Sequence, residues 1–450
     1  MKKSFIVISL MTLVVFSLTY CTKNDGVLNL NPPETASTGD TLFSINVASG
    51  PTIVSAGSAW GGADTLFWKN APKLTETVTV PEVIGDVVSF SGFIGNSTKV
   101  TLQSVYDANN VYFLAQWDQA QPNMESSPWY FNTSTKRWAQ GGAAPTYDVN
   151  GILTLQSFVS DQFDVIFNIN NSCAAFVTQS CYGACHQNVS SLVMDPITGN
   201  ITSKITNVMH TNGPSEKLDC WRARMYFVMN ASQAIDYYID WNGGVPTANA
   251  VHGNQAVSNG ANPPVYSSTA ATNGTGGTNN SQSLTITGTA VKTNVPLYVK
   301  PSGGYVNAAL LPSDTSGSGT AIKVIAVDST GILTLKNGAT INPNTGTTYQ
   351  QVGTGIGTND QSSWIPGKIV SPYTGLMGNV AANAHWTGTG WQLLLKRALK
   401  TPDVLQQDVD FSSLTTQQFG IALMFQAVGS KNAADNEHAI KPGLTLKFKQ

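Results

Sequence analysis

The sequence predicts an all-β protein: a two-sheet antiparallel β-sandwich with a long insertion rich in Gly, Asn and Thr. Three observations favour this fold class. Runs of β-branched and aromatic residues are separated by turns rich in Asn and Gly. No segment keeps a helical period between two caps. Only 11% of the residues are charged, which is typical of an extracytoplasmic β protein.

The N-terminus is predicted to be an export signal. Two lysines precede the apolar run 5–18, which is too short to span a membrane. Cys21 follows closely, as in a bacterial lipoprotein signal, so we expect residues 1–21 to be a signal peptide and Cys21 to carry lipid. A simple cleaved signal and an uncleaved anchor are the alternatives. Residues 22–45 have few periodic apolar positions and are predicted to be a polar tether.

The domain itself is predicted to cover residues 46–450. A hairpin is expected where the runs 100–106 and 111–117 flank an Asn-containing turn. The run 163–169 alternates Phe, Val, Phe and Ile on one face, which predicts another strand. Strands near the C-terminus are expected at 391–395, 419–425 and 444–448.

The insertion is predicted to cover about residues 245–365. This stretch contains long Gly-Thr-Asn tracts and few charged residues. We expect strands at 321–327 and 332–335, and a long loop near 253–284.

The segment with the most chemical information is Cys181-x-x-x-Cys185-His186. Covalent haem attachment needs two thiols for thioether bonds to the porphyrin vinyl groups and a histidine beside the second thiol to bind iron. The usual spacing is Cys-x-x-Cys-His, and here it is one residue longer. The pattern predicts a c-type haem attached through Cys181 and Cys185, with His186 as the proximal iron ligand.

Two other interpretations of these residues stay open. A disulfide could join Cys181 and Cys185, although so short a loop is prone to strain. A zinc ion could instead be bound by three thiolates and one imidazole, from Cys173, Cys181, Cys185 and His186.

The remaining cysteines are Cys173 and Cys220, if Cys21 carries lipid and the motif carries haem. They could form a disulfide in an oxidising compartment. The sequence alone does not fix this pairing.

A haem iron that transfers electrons rapidly needs a sixth ligand, and the candidates are Met209 and His210. They are adjacent, so in an extended segment only one of them can face the iron. A thioether raises the reduction potential relative to a second imidazole. Without haem, Met209 would be an ordinary core residue.

The order of several segments along the chain is distinctive. They are the hairpin 100–118, the strand 161–169, the motif Cys181 to His186, and the segments 209–211, 217–223, 386–391, 396–399 and 408–411. This order resembles the haem-binding domain family of the ethylbenzene dehydrogenase γ subunit and the related type II molybdenum enzymes of the dimethyl sulfoxide reductase superfamily. The resemblance implies a haem-binding β-sandwich. It also implies Met209 as the sixth ligand, with His210 as the alternative.

The predicted function is therefore extracytoplasmic electron transfer through one haem. Both axial positions of the iron would be filled, and no motif of hydrolases, zinc proteases or phosphate-binding loops occurs, so we expect a carrier or electron-transfer subunit and not an enzyme. Redox proteins are the expected partners, among them a molybdenum oxidoreductase. The net charge of -2 argues against nucleic acid. We expect a lipoprotein on the periplasmic side or the cell surface.

The alternative functions are a carbohydrate- or surface-binding β-sandwich lipoprotein with structural cysteines, and the haem subunit of a molybdenum oxidoreductase complex. Trp117, Trp221 and Trp391 are expected in the core more than around a haem. Arg222 and Arg224 could pair with haem propionates or lie on the surface.

Overall fold

The chain forms an all-β structure in the computed structural model. Within the described residues, no helix is both long enough and apolar enough to cross a membrane. The structure describes residues 40–52, 65–80, 95–119, 122–124, 126–140, 146–147, 153–155, 160–174, 176–179, 192–194, 201–203, 211, 213–241, 251–253, 256–257, 266–267, 276–300, 306–307, 321–345, 351–352, 355–356, 365–424 and 439–449.

The described residues form 31 strands and a few short helices. The first strands are β1 (Thr41–Asn46), β2 (Leu74–Thr79), β3 (Ser97–Tyr106), β4 (Asn110–Asp118), β5 (Trp129–Asn132), β6 (Arg137–Gln140), β7 (Thr146–Tyr147), β8 (Leu153–Leu155), β9 (Gln162–Asn168), β10 (Leu192–Met194), β11 (Ile201–Ser203), β12 (Leu218–Arg224), β13 (Ile235–Ile239), β14 (Val251–Gly253), β15 (Ala256–Val257) and β16 (Tyr266–Ser267). The later strands are β17 (Gly277–Asn279), β18 (Gln282–Thr285), β19 (Lys292–Val295), β20 (Tyr298–Val299), β21 (Val306–Asn307), β22 (Ile322–Val327), β23 (Leu333–Leu335), β24 (Thr340–Ile341), β25 (Gln351–Val352), β26 (Gly355–Ile356), β27 (Lys368–Val370), β28 (Ala381–Trp386), β29 (Gly390–Ala398), β30 (Gln417–Met424) and β31 (Ala439–Lys449). The helices are α1 (Thr65–Asn70), α2 (Phe176–Gln179) and α3 (Met225–Ala231), with 3-10 turns at Ile169–Asn171 and Gly375–Gly378.

Twelve strands form one large sheet in the order β14-β13-β12-β9-β30-β31-β1-β3-β4-β29-β28, with β2 paired to β3 and β31. The pairs are antiparallel except at β1, which runs parallel to both β3 and β31. The predicted hairpin is confirmed as β3 and β4, and the predicted C-terminal strands as β29, β30 and β31.

The first strand lies partly in the segment predicted to be a tether. Thr41 pairs with Thr445 at the start of β1, so the predicted tether boundary at residue 45 is too late. The strand is only six residues long, with Leu42 and Ser44 buried. So short an alternation is difficult to recognise in a sequence.

The large sheet folds back on itself, so that its two halves face each other across the main core. The ring of Phe113 on β4 lies 6.0 Å from Phe167 on β9 and 5.6 Å from Trp221 on β12. Trp117 stacks on Phe163 with a centroid distance of 5.4 Å. The contacts between β4 and the strands β9 and β12 give the sandwich that the alternating runs predict.

The region predicted to be an insertion forms mainly small sheets. Its strands β22 and β23 match the predicted positions, whereas β14 pairs with β13 in the large sheet. Short strands β15 to β18 lie where a loop was expected. A second core of buried side chains joins β5 and β6 to this region, with Phe131 and Trp138 packed among Val324, Leu333 and Leu335.

Candidate functional site

The predicted haem residues lie in the connection between β9 and β12, residues 169–217, which we call the excursion. The two motif cysteines, His186, Met209 and His210 lie outside the described residues, as does Cys21. The structure does describe the stems from which this excursion leaves and to which it returns. These stems define where the excursion is attached to the sandwich.

The outgoing stem is held by one asparagine side chain at the end of β9. Asn168 donates from Nδ2 to the carbonyl oxygen of Cys173 at 2.9 Å, and its Oδ1 accepts from the Cys173 amide at 2.9 Å. Ser172 and Lys217 exchange two hydrogen bonds: the Ser172 hydroxyl donates to the Lys217 carbonyl at 3.2 Å, and the Lys217 amide donates to Ser172 Oγ at 3.0 Å. Because these bonds join residues 45 positions apart, the two stems lie side by side.

The returning stem is fixed two residues after Met209. Thr211 is completely buried, and its amide donates to the carbonyl of Asp240 at 2.8 Å. Its hydroxyl donates to the carbonyl of Glu216 at 3.0 Å. Met209 and His210 therefore precede a point that is anchored beside the end of β13.

The two cysteines that were expected to pair are both buried, but the structure has no disulfide between them. Asn168 is opposite Leu218 in the register of β9 and β12, so Cys220 lies two residues further along the strand from the end where Cys173 is held. The Cys173–Cys220 disulfide that the sequence left possible is thus not formed. The zinc and Cys181–Cys185 interpretations depend on residues outside the described ranges.

The three tryptophans lie in the main core, as expected. Trp117, Trp221 and Trp391 are all buried there. The indole Nε1 of Trp391 donates to the carboxylate of Asp161 at 2.9 Å. Each of the three side chains packs between the two halves of the sheet, and the indole of Trp117 also donates, to Gln119 Oε1 at 3.3 Å.

The two arginines considered for haem propionates have partners within the sheet. Arg222 Nε lies 3.3 Å from Oδ2 of Asp164, and its guanidinium is 5.3 Å from the ring of Tyr237. Arg224 Nε donates to Gln162 Oε1 at 3.0 Å. Burial raises the pKa of Asp164, although both arginines oppose that rise. Both arginines therefore contact polar side chains of the neighbouring strand β9, namely Asp164 and Gln162.

A charged cluster inside the sandwich was missed by the sequence reasoning. Arg397 on β29 donates from Nη1 to Oδ2 of Asp219 on β12 at 2.5 Å, and the same nitrogen is 3.9 Å from Oδ1 of Asp408. Asp236 on β13 completes a group of three buried aspartates. Two features of the sequence could have indicated it: an aspartate within the otherwise apolar strand β13, and an arginine two residues after three consecutive leucines on β29.

The electrostatics of this cluster are dominated by burial. Desolvation raises the pKa of Asp219 to about 6, with Arg397 lowering it and Asp408 raising it further. Burial, followed by the charges of Asp408 and Asp219, raises the pKa of Asp236 well above its usual value. The Arg397 guanidinium lies 4.8 Å above the ring of Trp221 and 5.0 Å above Phe411, so aromatic faces also stabilise its charge.

The comparison with protein families decides the assignment of the chain. A model described as ethylbenzene dehydrogenase matches residues 65–431, which is well over half of the chain. The chain belongs to the ethylbenzene dehydrogenase family. The predicted resemblance is therefore confirmed, and the family match covers both the excursion between β9 and β12 and the charged cluster.

Solved structures give a weaker likeness than the ethylbenzene dehydrogenase family model. Two are of a carbohydrate binding module family 9 from Caldicellulosiruptor kristjanssonii, in complex with cellotriose and with glucose, and each is 8% identical to this chain. They match 91% of this chain and 93% and 95% of their own, with TM-scores of 0.23 and 0.24. At these values the match carries no information on ligands. No curated protein matches the chain.

Proposed function

We propose that this protein is an electron-transfer member of the ethylbenzene dehydrogenase family, with one haem attached in the excursion between β9 and β12. The observation that carries the proposal is the family match over residues 65–431, which includes the thiols and histidine of the motif 181–186. Family membership also supports an association with a molybdenum oxidoreductase-related complex.

The donor set of the excursion suits an attached haem. Two thiols, an imidazole and a thioether lie between stems that are held together at Ser172 and Lys217. Cys181 and Cys185 would form the thioether bonds, His186 would bind the iron, and Met209 would take the sixth position, with His210 as the alternative. A haem bound there would supply one-electron oxidation and reduction.

The sandwich would hold both ends of the excursion in fixed positions. The side chain of Asn168 fixes one stem through hydrogen bonds to the backbone of Cys173, the amide of Thr211 fixes the other by donating to Asp240, and both residues are buried. A fixed base limits how far the ligand-bearing segment can move, and a rigid ligand frame favours fast electron exchange because little rearrangement accompanies it. The chain itself is thus proposed to be a carrier or electron-transfer subunit.

The cellular setting is part of the same proposal. The signal at 1–21 supports export, and lipid on Cys21 would hold the protein at a membrane on the periplasmic side or at the cell surface. Its partners would be redox proteins, among them the molybdenum subunit of such a complex. A stand-alone tethered carrier is favoured over a soluble subunit because a lipid anchor would keep the chain at the membrane.

The deciding experiment is pyridine haemochrome spectroscopy on the purified full chain, before and after acid-acetone extraction. We expect a haem spectrum that persists in the protein fraction after extraction, because thioether bonds resist it. Cys185→Ala should lose most of the covalent haem, and His186→Ala should alter the spectrum of the iron.

The matched control is Cys220→Ala, since Cys220 lies in β12 and outside the proposed attachment motif. This variant should retain covalent haem. A colourless wild-type protein produced in a host that matures c-type haem would contradict the proposal, and haem that is fully extracted would contradict covalent attachment.

A further inference from the structure

The cluster inside the sandwich has an unbalanced charge. Arg397 supplies one positive charge, whereas Asp219, Asp236 and Asp408 supply three negative charges when all are ionised. All four side chains are buried, and Asp219 and Asp236 are completely inaccessible. Buried charge without compensation is strongly unfavourable. A group with two positive charges would make the cluster neutral.

Several oxygen atoms of the cluster have no hydrogen-bond donor. Arg397 donates to Oδ2 of Asp219, while Oδ1 of the same carboxylate has no partner. Both oxygens of Asp236 are buried without a donor. Oδ1 of Asn379 is likewise buried without a donor. The Nδ2 of the same side chain donates to Oδ2 of Asp408 at 3.4 Å. These oxygens can only accept, so they need a hydrogen or a cation.

A single shared proton does not satisfy this set. A proton on Asp236 would let it donate to Oδ1 of Asp219, and would thereby pair one oxygen of each carboxylate. The second oxygen of Asp236 and Oδ1 of Asn379 would still have no donor. A metal ion can accept lone pairs from all of these groups at once, directly or through its water ligands.

We propose that Asp219, Asp236 and Asp408 bind one divalent cation, and that calcium is the ion which suits them best. One oxygen from each aspartate lies within 4.8 Å of the others. Calcium binds oxygen at about 2.3–2.6 Å, so two of its ligands can be up to roughly 5 Å apart. The donors are all oxygen atoms, which favours calcium or magnesium over zinc. Asn379 and water would complete the coordination.

The cation would join parts of the fold that are distant in the sequence. Asp219 and Asp236 lie on the neighbouring strands β12 and β13, Asp408 lies in the connection after β29, and Asn379 lies two residues before the start of β28. Strands β28 and β29 belong to the opposite half of the sandwich from β12 and β13. The proposed ion is thus a cross-link between the two halves, and it is independent of any haem.

The test measures calcium in the full chain and its effect on thermal unfolding. We expect about one calcium per protein by elemental analysis. Chelation with EDTA should lower the unfolding midpoint, and added CaCl2 should restore it. Asp236→Asn removes a ligand charge and should weaken calcium binding by more than about 100-fold, beyond the effect of losing an outer-shell partner. Its unfolding midpoint should not respond to EDTA.

The control is Asp164→Asn, which changes a buried aspartate on β9 that pairs with Arg222 outside the cluster. It should keep both the calcium and the response to EDTA. A wild-type chain without calcium, whose midpoint ignores both EDTA and CaCl2, would overturn the proposal. Asp236→Asn as stable as the wild type would then point to a shared proton. The wild-type measurements decide the question even if a variant does not fold.

Discussion

Arg397 is the residue on which the interior of the sandwich most depends. It has negligible exposure, and it donates to Asp219 and to the carbonyl of Val409. A strand was predicted only at 391–395, and nothing in the sequence indicates that Arg397 points inward, because a strand pattern predicts which face a side chain occupies only when its neighbours alternate clearly. The leucines before it fill both faces of β29, so that alternation was hidden.

Replacement of this arginine should therefore destabilise the whole fold. Arg397→Met keeps much of the volume but leaves the carboxylate of Asp219 without its charged partner, with only the Val409 amide still donating to it, and we expect a loss of about 3–5 kcal/mol in the free energy of unfolding by urea. Lys400→Met is the control, because its ion pair with Asp410 is exposed, and it should change stability by less than about 0.5 kcal/mol. A loss below about 1 kcal/mol for Arg397→Met would contradict the dependence on this charge.

The hairpin of β3 and β4 is the element that the sequence predicted best, because its turn has local chemistry. Oδ1 of Asp107 accepts from the amides of Asn109 and Asn110 at 2.8 Å each, and its Oδ2 accepts from the Tyr112 hydroxyl at 2.7 Å. Such side-chain acceptors are typical of tight turns. In contrast, the interior cluster draws on four separate elements, and no local pattern predicts that they meet.

The turn should show a pH dependence with a definite sign. Burial raises the pKa of Asp107, but the hydrogen bonds from Asn109, Tyr112, Asn110 and the Gly50 amide outweigh it, so the net pKa is lowered. The stabilisation is therefore present above the pKa of an unfolded aspartate, about 3.9, and is lost as the pH falls through the lower folded value.

Asp107→Asn tests this sign. The variant should be less stable than the wild type by about 1–3 kcal/mol at neutral pH, and this difference should shrink as the pH falls below about 3.9. Urea unfolding at several pH values measures it. Asp118→Asn, at the exposed other end of β4, is the control. A difference that grows on acidification would contradict the assignment.

At the scale of the whole molecule, the described residues form two large cores and two smaller buried clusters. The alternating runs predicted the main core, but the second core joins β5 and β6 to the insertion across about 200 residues of sequence. The composition rich in Gly, Asn and Thr indicated only that the insertion is separate from the rest of the domain, and not which strands pack against it. Which hairpin packs against it depends on tertiary contacts that a single sequence does not contain.

The two cores should respond differently to loss of one buried ring. Phe131→Ala in the second core should loosen the insertion and expose it to limited proteolysis before the large sheet unfolds. Phe163→Ala in the main core should instead lower the stability of the whole sandwich by about 3–5 kcal/mol. Each variant is the control for the other, since both substitutions remove a completely buried phenylalanine ring. Identical single transitions for both variants would contradict two separable cores.

The parallel position of β1 between β3 and β31 has a consequence for the order in which the protein can fold. β1 is the first described strand, and one of its two neighbours is the last, with Thr41 paired to Thr445. During synthesis β1 can pair with β3 early, but its second neighbour becomes available only when β31 has been made. The large sheet can therefore close only after β31 has formed, so its closure is a late event in folding.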